Sequence, residues 1–409
     1  MQGDRGMAIH LIVLMCALSH SGFGGSRVAV SLYALDQGAS QLTIGALMAL
    51  YAVVPLLLAV HVGRLADRVG PRVPMLIGTA GVVVGLLLPP LFPGLITLYI
   101  SALVLGSIFH FFFITVQGIA GGIGGSQHRA RNFALVGMGF SAAGFIGPFL
   151  AGVAIDHLGH LPAFLVLAVF PSVPVLMLLL KPGFLPRARK HPESAGPRNA
   201  MDLWRMPGLR RTFIASGIIS SAWDFFQFYL PVYGHSVGLS ASAIGAVLGV
   251  FALATFIIRV FLPGLARRYS EAQILTGGIF TAAMAFVLFP LFTDAYILAA
   301  VSFLLGLGVG CGQPMSMSLI YALAPPGRAA ECAGLRVTVN NAMHLVIPLF
   351  FGSLGTAFGY TLVFMSNSAM LVAAGAIMRK ARIAADPKPV EITASSAPEG
   401  KKTPREGRF

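Results

Sequence analysis

The sequence predicts an all-α integral membrane fold of twelve transmembrane helices arranged as two parallel six-helix repeats. Three observations carry that expectation. Of 409 residues, 56% are hydrophobic and 10% charged, with a mean hydropathy of +0.82; this is too apolar for a water-soluble globular chain and too hydrophobic for a disordered one. Long apolar runs recur at the length a helix needs, about 20 residues for roughly 30 Å of hydrocarbon. The two halves also match each other at a fixed offset of 200 residues.

Taken in order, the apolar runs are 8–35, 43–62, 73–92, 96–120, 132–155 and 163–181, then 211–235, 242–262, 272–293, 296–322, 333–355 and 361–379. The first follows Arg5 but continues apolar well past the short core of a signal peptide, so it reads as a retained helix. A loop near Asp36 separates it from the second, and the Arg64, Arg68 and Arg72 loop separates the second from the third. Gly94 marks the next turn, Arg129 and Arg131 the one after, and Asp156 the turn before the sixth run. The basic stretch from Lys181 to Arg211 precedes the seventh. Ser236, then Arg267 and Arg268, then Asp294, Arg328 and Thr356 separate the remaining five, and Arg379 opens a basic tail.

The loops alternate strictly in charge. Every Arg and Lys outside the apolar runs falls on one side, and the intervening turns near Asp36, Gly94, Asp156, Ser236, Asp294 and Thr356 hold none. By the positive-inside rule the basic side is cytoplasmic, so both termini lie inside and the number of crossings is even. The formal net charge of +14 is therefore explained by membrane topology, and nucleic acid is not expected as a partner. Cys16, Cys311 and Cys332 are far apart and have no zinc-ligand or disulfide spacing, so they read as small core residues. A bacterial cytoplasmic (inner) membrane is the expected location.

The repeat pairs Tyr33 with Tyr233, Gly38 with Gly238, Ser40 with Ser240, Ile44-Gly45-Ala46 with Ile244-Gly245-Ala246, and Arg68 with Arg268. It continues without a gap through Gly78 and Gly278, Pro90-Leu91-Phe92 and Pro290-Leu291-Phe292, Gly106 and Gly306, Pro148 and Pro348, and Gly152 and Gly352. Glycine and proline matches carry the weight, because they fix backbone shape. The expected organisation is an N-terminal six-helix bundle over 1–181, a cytoplasmic linker over 182–210, a C-terminal bundle over 211–382, and a disordered cytoplasmic tail over 383–409.

The loop Gly63-Arg64-Leu65-Ala66-Asp67-Arg68-Val69-Gly70-Pro71-Arg72 resembles the signature loop of the major facilitator superfamily, matching at Gly63, Leu65, Ala66, Asp67, Arg68, Gly70 and Arg72. The resemblance implies twelve crossings, alternating access, and a cytoplasmic gate in which this charge network holds the halves together. The repeat-related loop carries Arg267 where Asp67 stands. In the fifth run, Gly144, Gly147, Pro148 and Gly152 are similar to the Gly-Pro motif of the drug:proton antiporter branch, although Ala143 and Ala151 depart from it. Small residues allow close packing and Pro148 removes one backbone bond, which suits a hinge. The Arg that the branch usually carries three residues before a Gln-Gly pair is absent: Ile114 precedes Gln117-Gly118 there.

Ionisable residues at bilayer depth cost at least a few kcal/mol, so each is a functional candidate. Asp224 lies 13 residues beyond Arg211, or roughly 20 Å along a helix. Arg27 lies nine residues before Asp36, or about 13 Å from that end of the first helix. The repeat aligns Arg27 with Gln227, so the two charges sit on symmetry-related helices at similar depth. The resemblance implies that helices 1, 4, 7 and 10 line a central cavity, across which Arg27 and Asp224 are expected to meet as a proton-coupling pair; the alternatives are a static pair that holds the outer gate closed, or no contact. Substrate-cavity candidates are His20, His110, Gln117, Trp223, Gln227, Tyr229, Gln313, Tyr321, Asn341 and His344, each with helix packing or helix–helix hydrogen bonding as the structural alternative.

The function expected is secondary active transport, with proton-coupled export of a small organic molecule or drug as the first reading and proton-coupled import of a small organic anion as the second. An integral-membrane enzyme is disfavoured, because the chain has no HExxH, GxSxG or GxxxxGK[ST] motif. No catalytic, metal or cofactor site is expected. The partners expected are a small-molecule substrate, protons and the lipid bilayer, with the chain acting as a monomer.

Overall fold

The computed structural model describes residues 2–122, 126–180, 185, 201–325 and 328–385, without side-chain detail for parts of 2–7, 54–68, 121–134, 329–330 and 380–385. Its helices, in chain order, are α1 (Gln2–Asp36), α2 (Gln41–Val69), α3 (Arg72–Leu91), α4 (Leu95–Gly122), α5 (Ser126–Leu158), α6 (His160–Leu180), α7 (Met201–Arg205), α8 (Pro207–Ser236), α9 (Ala241–Leu265), α10 (Glu271–Leu288), α11 (Ala295–Gly310), α12 (Gly312–Leu323), α13 (Ala329–Phe358) and α14 (Tyr360–Ala385). Counting α11 and α12 as one interrupted helix and setting aside the short α7, the described residues make twelve crossings. Among them, ten helices are long and apolar enough to span a membrane by length and composition. The chain is a multi-pass membrane protein.

The two exceptions have separate explanations. Most side chains in the second half of α2 lie outside the described residues. Crossing seven, α8, carries Asp224, Gln227 and a run of serines, and 20 of its residues are buried inside the bundle. Protein surrounds α8, so its polarity does not face lipid.

The repeat reappears in the backbone. Gly38 and Gly238 turn with φ of 74° and 81°, and Gly159 and Gly359 with φ of 92° and 80°. These left-handed angles suit glycine and little else, and they allow an abrupt reversal between antiparallel helices. Side chains cap several helix starts: Ser240, after the Gly238 turn, accepts from Ala243 N at the start of α9, and Asp294 accepts from Tyr296 N and Ile297 N at the start of α11. A capping box between Ser270 and Gln273 starts α10.

The halves meet along two equivalent seams. In one, Gly45 of α2 packs against the Pro348 carbonyl and Gly352 of α13. In the other, Gly245 of α9 packs against the Pro148 carbonyl of α5, while Gly152 of α5 lies against the Ala241 carbonyl. Missing side chains allow this backbone approach. All of these contacts lie toward one end of the bundle, the end that carries Asp36, Asp156, Ser236 and Thr356. Gln2 and Ala385, the first and last of the described residues, lie at the other.

Within the expected linker over 182–210, the described part holds α7 and the start of α8. Leu203 and Leu209 join Phe213, Ile320 and Cys332 in a small separate core, and Trp204 stacks on Phe213 at 6.0 Å. Residues 181–184 and 186–200, and the tail from 386 onward, lie outside the described residues. The three cysteines are buried free thiols.

Candidate functional site

Asp224 is the hub. It sits on α8 in mid-bundle and is 7% exposed. Its Oδ1 accepts from Arg27 Nη1 of α1 at 3.3 Å, a contact that joins the two halves. Its Oδ2 pairs with His344 Nδ1 of α13. The Arg27 guanidinium also lies 5.5 Å from the centre of the Tyr51 ring, where the ring face favours a cation. Tyr51 in turn exchanges a hydrogen bond with Ser26 at 3.0 Å. A buried carboxylate is costly unless paired, and here the Arg27 guanidinium of the other half pairs with one oxygen while the His344 imidazole lies against the second.

The face of α8 below Asp224 continues with Ser220 and Ser216, at successive four-residue steps. It faces an equally spaced row on α13, Arg336, Asn340 and His344, because side chains four apart share one helical face. Ser216 Oγ donates to Asn340 Oδ1 at 3.2 Å, and Arg336 Nη1 donates to Ser216 Oγ at 3.1 Å. Gln313 of α12 closes the network, accepting from Arg336 at 2.8 Å and donating to Ser220 Oγ at 3.3 Å. The two helices run in the same direction, so a polar ladder descends from Asp224 toward the terminal end.

The other expected cavity residues are distributed unevenly. His20 is enclosed by the rings of Phe23, Phe109 and Phe140 at 5.8, 5.5 and 5.1 Å, and its buried Nδ1 has no partner. His110 Nδ1 bonds to the Gly106 carbonyl at 2.7 Å within its own helix. Trp223 packs on Phe251 at 4.9 Å and under Arg259 at 5.9 Å. Gln117, Gln227 and Asn341 are half-buried, and Gln313 is exposed although it lies within a crossing. Tyr321 is 54% exposed toward the terminal end. Tyr229 is fully buried and donates to Gln41 Oε1 at 2.8 Å, bridging the halves near the closed end.

The helix-5 residues lie at interfaces. Gly147 faces the Ser21 and Gly25 backbone of α1, a Cβ at Gly144 would stand 3.5 Å from the Ala252 side chain of α9, and Pro148 and Gly152 form the α5–α9 seam. Beyond that seam a shallow apolar crevice of about 270 Å³ lies between α5 and α9, lined by Met138, Ser141 and Phe145 on one side and Ala252, Leu253 and Phe256 on the other. Of the signature loop, Gly63, Asp67 and Arg68 lie outside the residues whose side chains are described. Gly70 turns with φ of 84°. Arg72 donates to the Leu178 and Leu179 carbonyls at 3.1 and 3.4 Å, tying α3 to the end of α6 in its own half.

Sequence reasoning assigned no role to four residues that now stand out. Asp156 and Thr356 bind helix N-termini of the opposite half; their common offset of 200 was the available signal. Arg259 and Arg336 were visible as charges inside apolar runs, but without a partner at a recognisable spacing. No cluster of three His, Cys, Asp or Glu able to hold a metal occurs among the described residues.

A family profile described as Major Facilitator Superfamily matches residues 12–348. The chain is 27% identical over 325 residues to a tetracycline resistance protein, class D, of Salmonella ordonez, covering 75% of this chain and 78% of that one. It is 21% identical over 341 residues to the staphylopine export protein of Staphylococcus aureus, covering 78% and 83%. The fold superposes on the crystal structure of a bacterial homolog of the human lysosomal transporter Spinster, inward-facing and unoccupied, with a TM-score of 0.77 at 13% identity, over 93% of this chain and 97% of that one.

Proposed function

The chain belongs to the major facilitator superfamily of membrane transporters, and on that premise we propose that it is a proton-coupled exporter of a small organic molecule, working by alternating access as a single chain in a bacterial inner membrane. The observation that carries the reading is Asp224, placed at mid-depth between Arg27 of one half and His344 of the other. A carboxylate in that position links protonation to the attraction between the halves. When ionised, it pairs with Arg27 across the interface; when protonated, it loses that attraction and the halves are free to re-pack. Residues in transmembrane segments that exchange protons in this way are a recurrent device in pumps and transporters.

The basic loops put the terminal end in the cytoplasm. The closed end, held by the glycine seams, then faces outward, the arrangement in which an exporter takes on cargo from inside. Outward direction is supported by the relatives, one named for drug resistance and one for export. Import of a small organic anion is the second reading, and Arg27, released when Asp224 is protonated, is the residue that favours it.

Reconstitution into liposomes with an imposed pH gradient tests the reading. A panel of cationic dyes and organic acids is screened in both directions. Accumulation of at least one compound driven by the gradient, abolished when a protonophore collapses it, is the expected result. Transport indifferent to the gradient for every transported compound would remove proton coupling.

A further inference from the structure

Among the described residues, the bundle interior holds three arginines, Arg27, Arg259 and Arg336, and at that depth one carboxylate. Arg27 takes the carboxylate. Arg336 is 6% exposed, and all its hydrogen bonds come from Nη1, to Gln313 Oε1 at 2.8 Å, Ser216 Oγ at 3.1 Å and Ser316 Oγ at 3.2 Å. Those acceptors are neutral. Nε is buried without a partner, and Nη2 makes no hydrogen bond. Intramembrane charges normally pair with one another or with backbone carbonyls, and a desolvated guanidinium with only neutral acceptors on one nitrogen lacks compensation.

Arg259 lies on the other side, also without a carboxylate but better compensated. Its Nε donates to the Gly310 carbonyl and its Nη1 to Ser141 Oγ, both at 3.3 Å, and its guanidinium carbon lies 5.9 Å from the centre of the Trp223 ring. Gly310 is the last residue of α11, and Gln313 is the second residue of α12. These two cations, neither with a carboxylate partner, therefore flank the interruption at Cys311, Arg259 on the carbonyl end of the upper half-helix and Arg336 on the first turn of the lower. Anionic groups are favoured at the start of a half-helix, and interrupted crossings hold substrates in other transporter folds.

We propose that Arg336, cradled by Gln313, Ser216 and Ser316 beside the interruption of the tenth crossing, binds the anionic group of the transported molecule, an organic carboxylate whose apolar body lies toward Trp223. The free Nε and Nη2 form the two-pronged face that a carboxylate matches. Gln313 and the serines fix the guanidinium from the opposite edge. Arg259 adds positive potential across the same space. This names the substrate class of the cavity and rests on the transporter reading above.

The test uses full-length protein in detergent micelles carrying Trp204→Phe, which leaves Trp223 as its one tryptophan. Its fluorescence is titrated with phenylacetate, 3-phenylpropionate and octanoate, and with their matched primary amides at equal ionic strength. The acids are expected to act at concentrations about tenfold lower than the amides. Arg336→Gln should abolish that preference. Gln313→Glu should abolish it too, by placing a carboxylate beside Nη1; this variant keeps the cation paired and guards against simple misfolding. Acids and amides acting alike, or an acid preference surviving Gln313→Glu, would overturn the proposal. The same preparations, reconstituted, separate the two readings: gradient-driven transport without acid preference sinks the subsite alone, and acid preference without any transport sinks the transporter reading alone.

Discussion

The Asp156 carboxylate, in the last turn of α5, accepts from the Ser242 amide in the first turn of α9 at 2.7 Å, and its second oxygen accepts from Ala241 N at 3.0 Å. Such amides have no partner inside their own helix and carry the positive end of its dipole. Two hundred positions later Thr356 accepts from Leu42 N at 3.0 Å, in the first turn of α2. The bundle is thus latched twice at one end by equivalent contacts, one charged and one neutral. Each latch sits beside a glycine seam.

Replacing Asp156 with Ala removes the charged latch. Loss of a cap costs about 0.5–2 kcal/mol, so the ratio of open to closed forms at that end should rise roughly two- to thirty-fold. Spin labels at the exposed positions His157 and Ser236 report the separation of the halves by double electron–electron resonance. The Asp156→Ala protein should show a larger long-distance population, and Thr356→Ala a smaller increase of the same kind. Identical distance distributions in all three proteins would remove the latch.

The seams make a separate demand. A methyl group at Gly245 would stand 2.5 Å from the Pro148 carbonyl oxygen, inside van der Waals contact, so α5 and α9 must move apart. Overpacking of this kind costs about 1–3 kcal/mol. Gly245→Ala should lower the thermal unfolding temperature and widen the same label distance. Gly45→Ala should do likewise at the other seam, and the two losses should add, because the substituted helices form different pairs. Strong non-additivity would mean that the seams are one cooperative unit.

The Arg27–Asp224 contact is open to a double-mutant cycle. Each single substitution, Arg27→Gln or Asp224→Asn, leaves one buried group with reduced compensation, a loss of up to about 3–5 kcal/mol. Removing both charges should restore most of that loss. Thermal unfolding in micelles measures it. A double variant as unstable as the sum of the singles would show that the two groups do not interact energetically.

Much of this architecture was legible in the sequence, for identifiable reasons. Crossing ends fell within a few residues of those expected, because glycine turns and charged loops punctuate the apolar runs. The similar depth of Arg27 and Asp224 followed from the repeat, since Arg27 aligns with Gln227, about one turn from Asp224 on the symmetry-related helix. The interruption at Cys311 did not show, because Gly310-Cys311-Gly312 lies in an apolar run whose hydropathy is unaffected by one residue leaving the helical path. His344 was a candidate without a partner; its contact with Asp224 depends on the packing of α8 against α13, which periodicity alone does not give. Asp156 read as a loop marker for the same reason, since its partners lie on a helix of the other half. Of the two readings the sequence offers for Tyr229, its ring follows the helix–helix one, wholly enclosed with the hydroxyl donating to Gln41. The helical turn at α7 was hidden in a stretch whose composition reads as linker.

The most direct measurement is transport by Asp224→Asn in liposomes, comparing movement driven by a pH gradient with substrate exchange at equal pH on both sides. Asparagine keeps the shape and some of the hydrogen bonding of the carboxylate but takes up no proton. The account predicts that gradient-driven transport falls to the level of empty liposomes while exchange persists. Gradient-driven transport at the wild-type rate would contradict it.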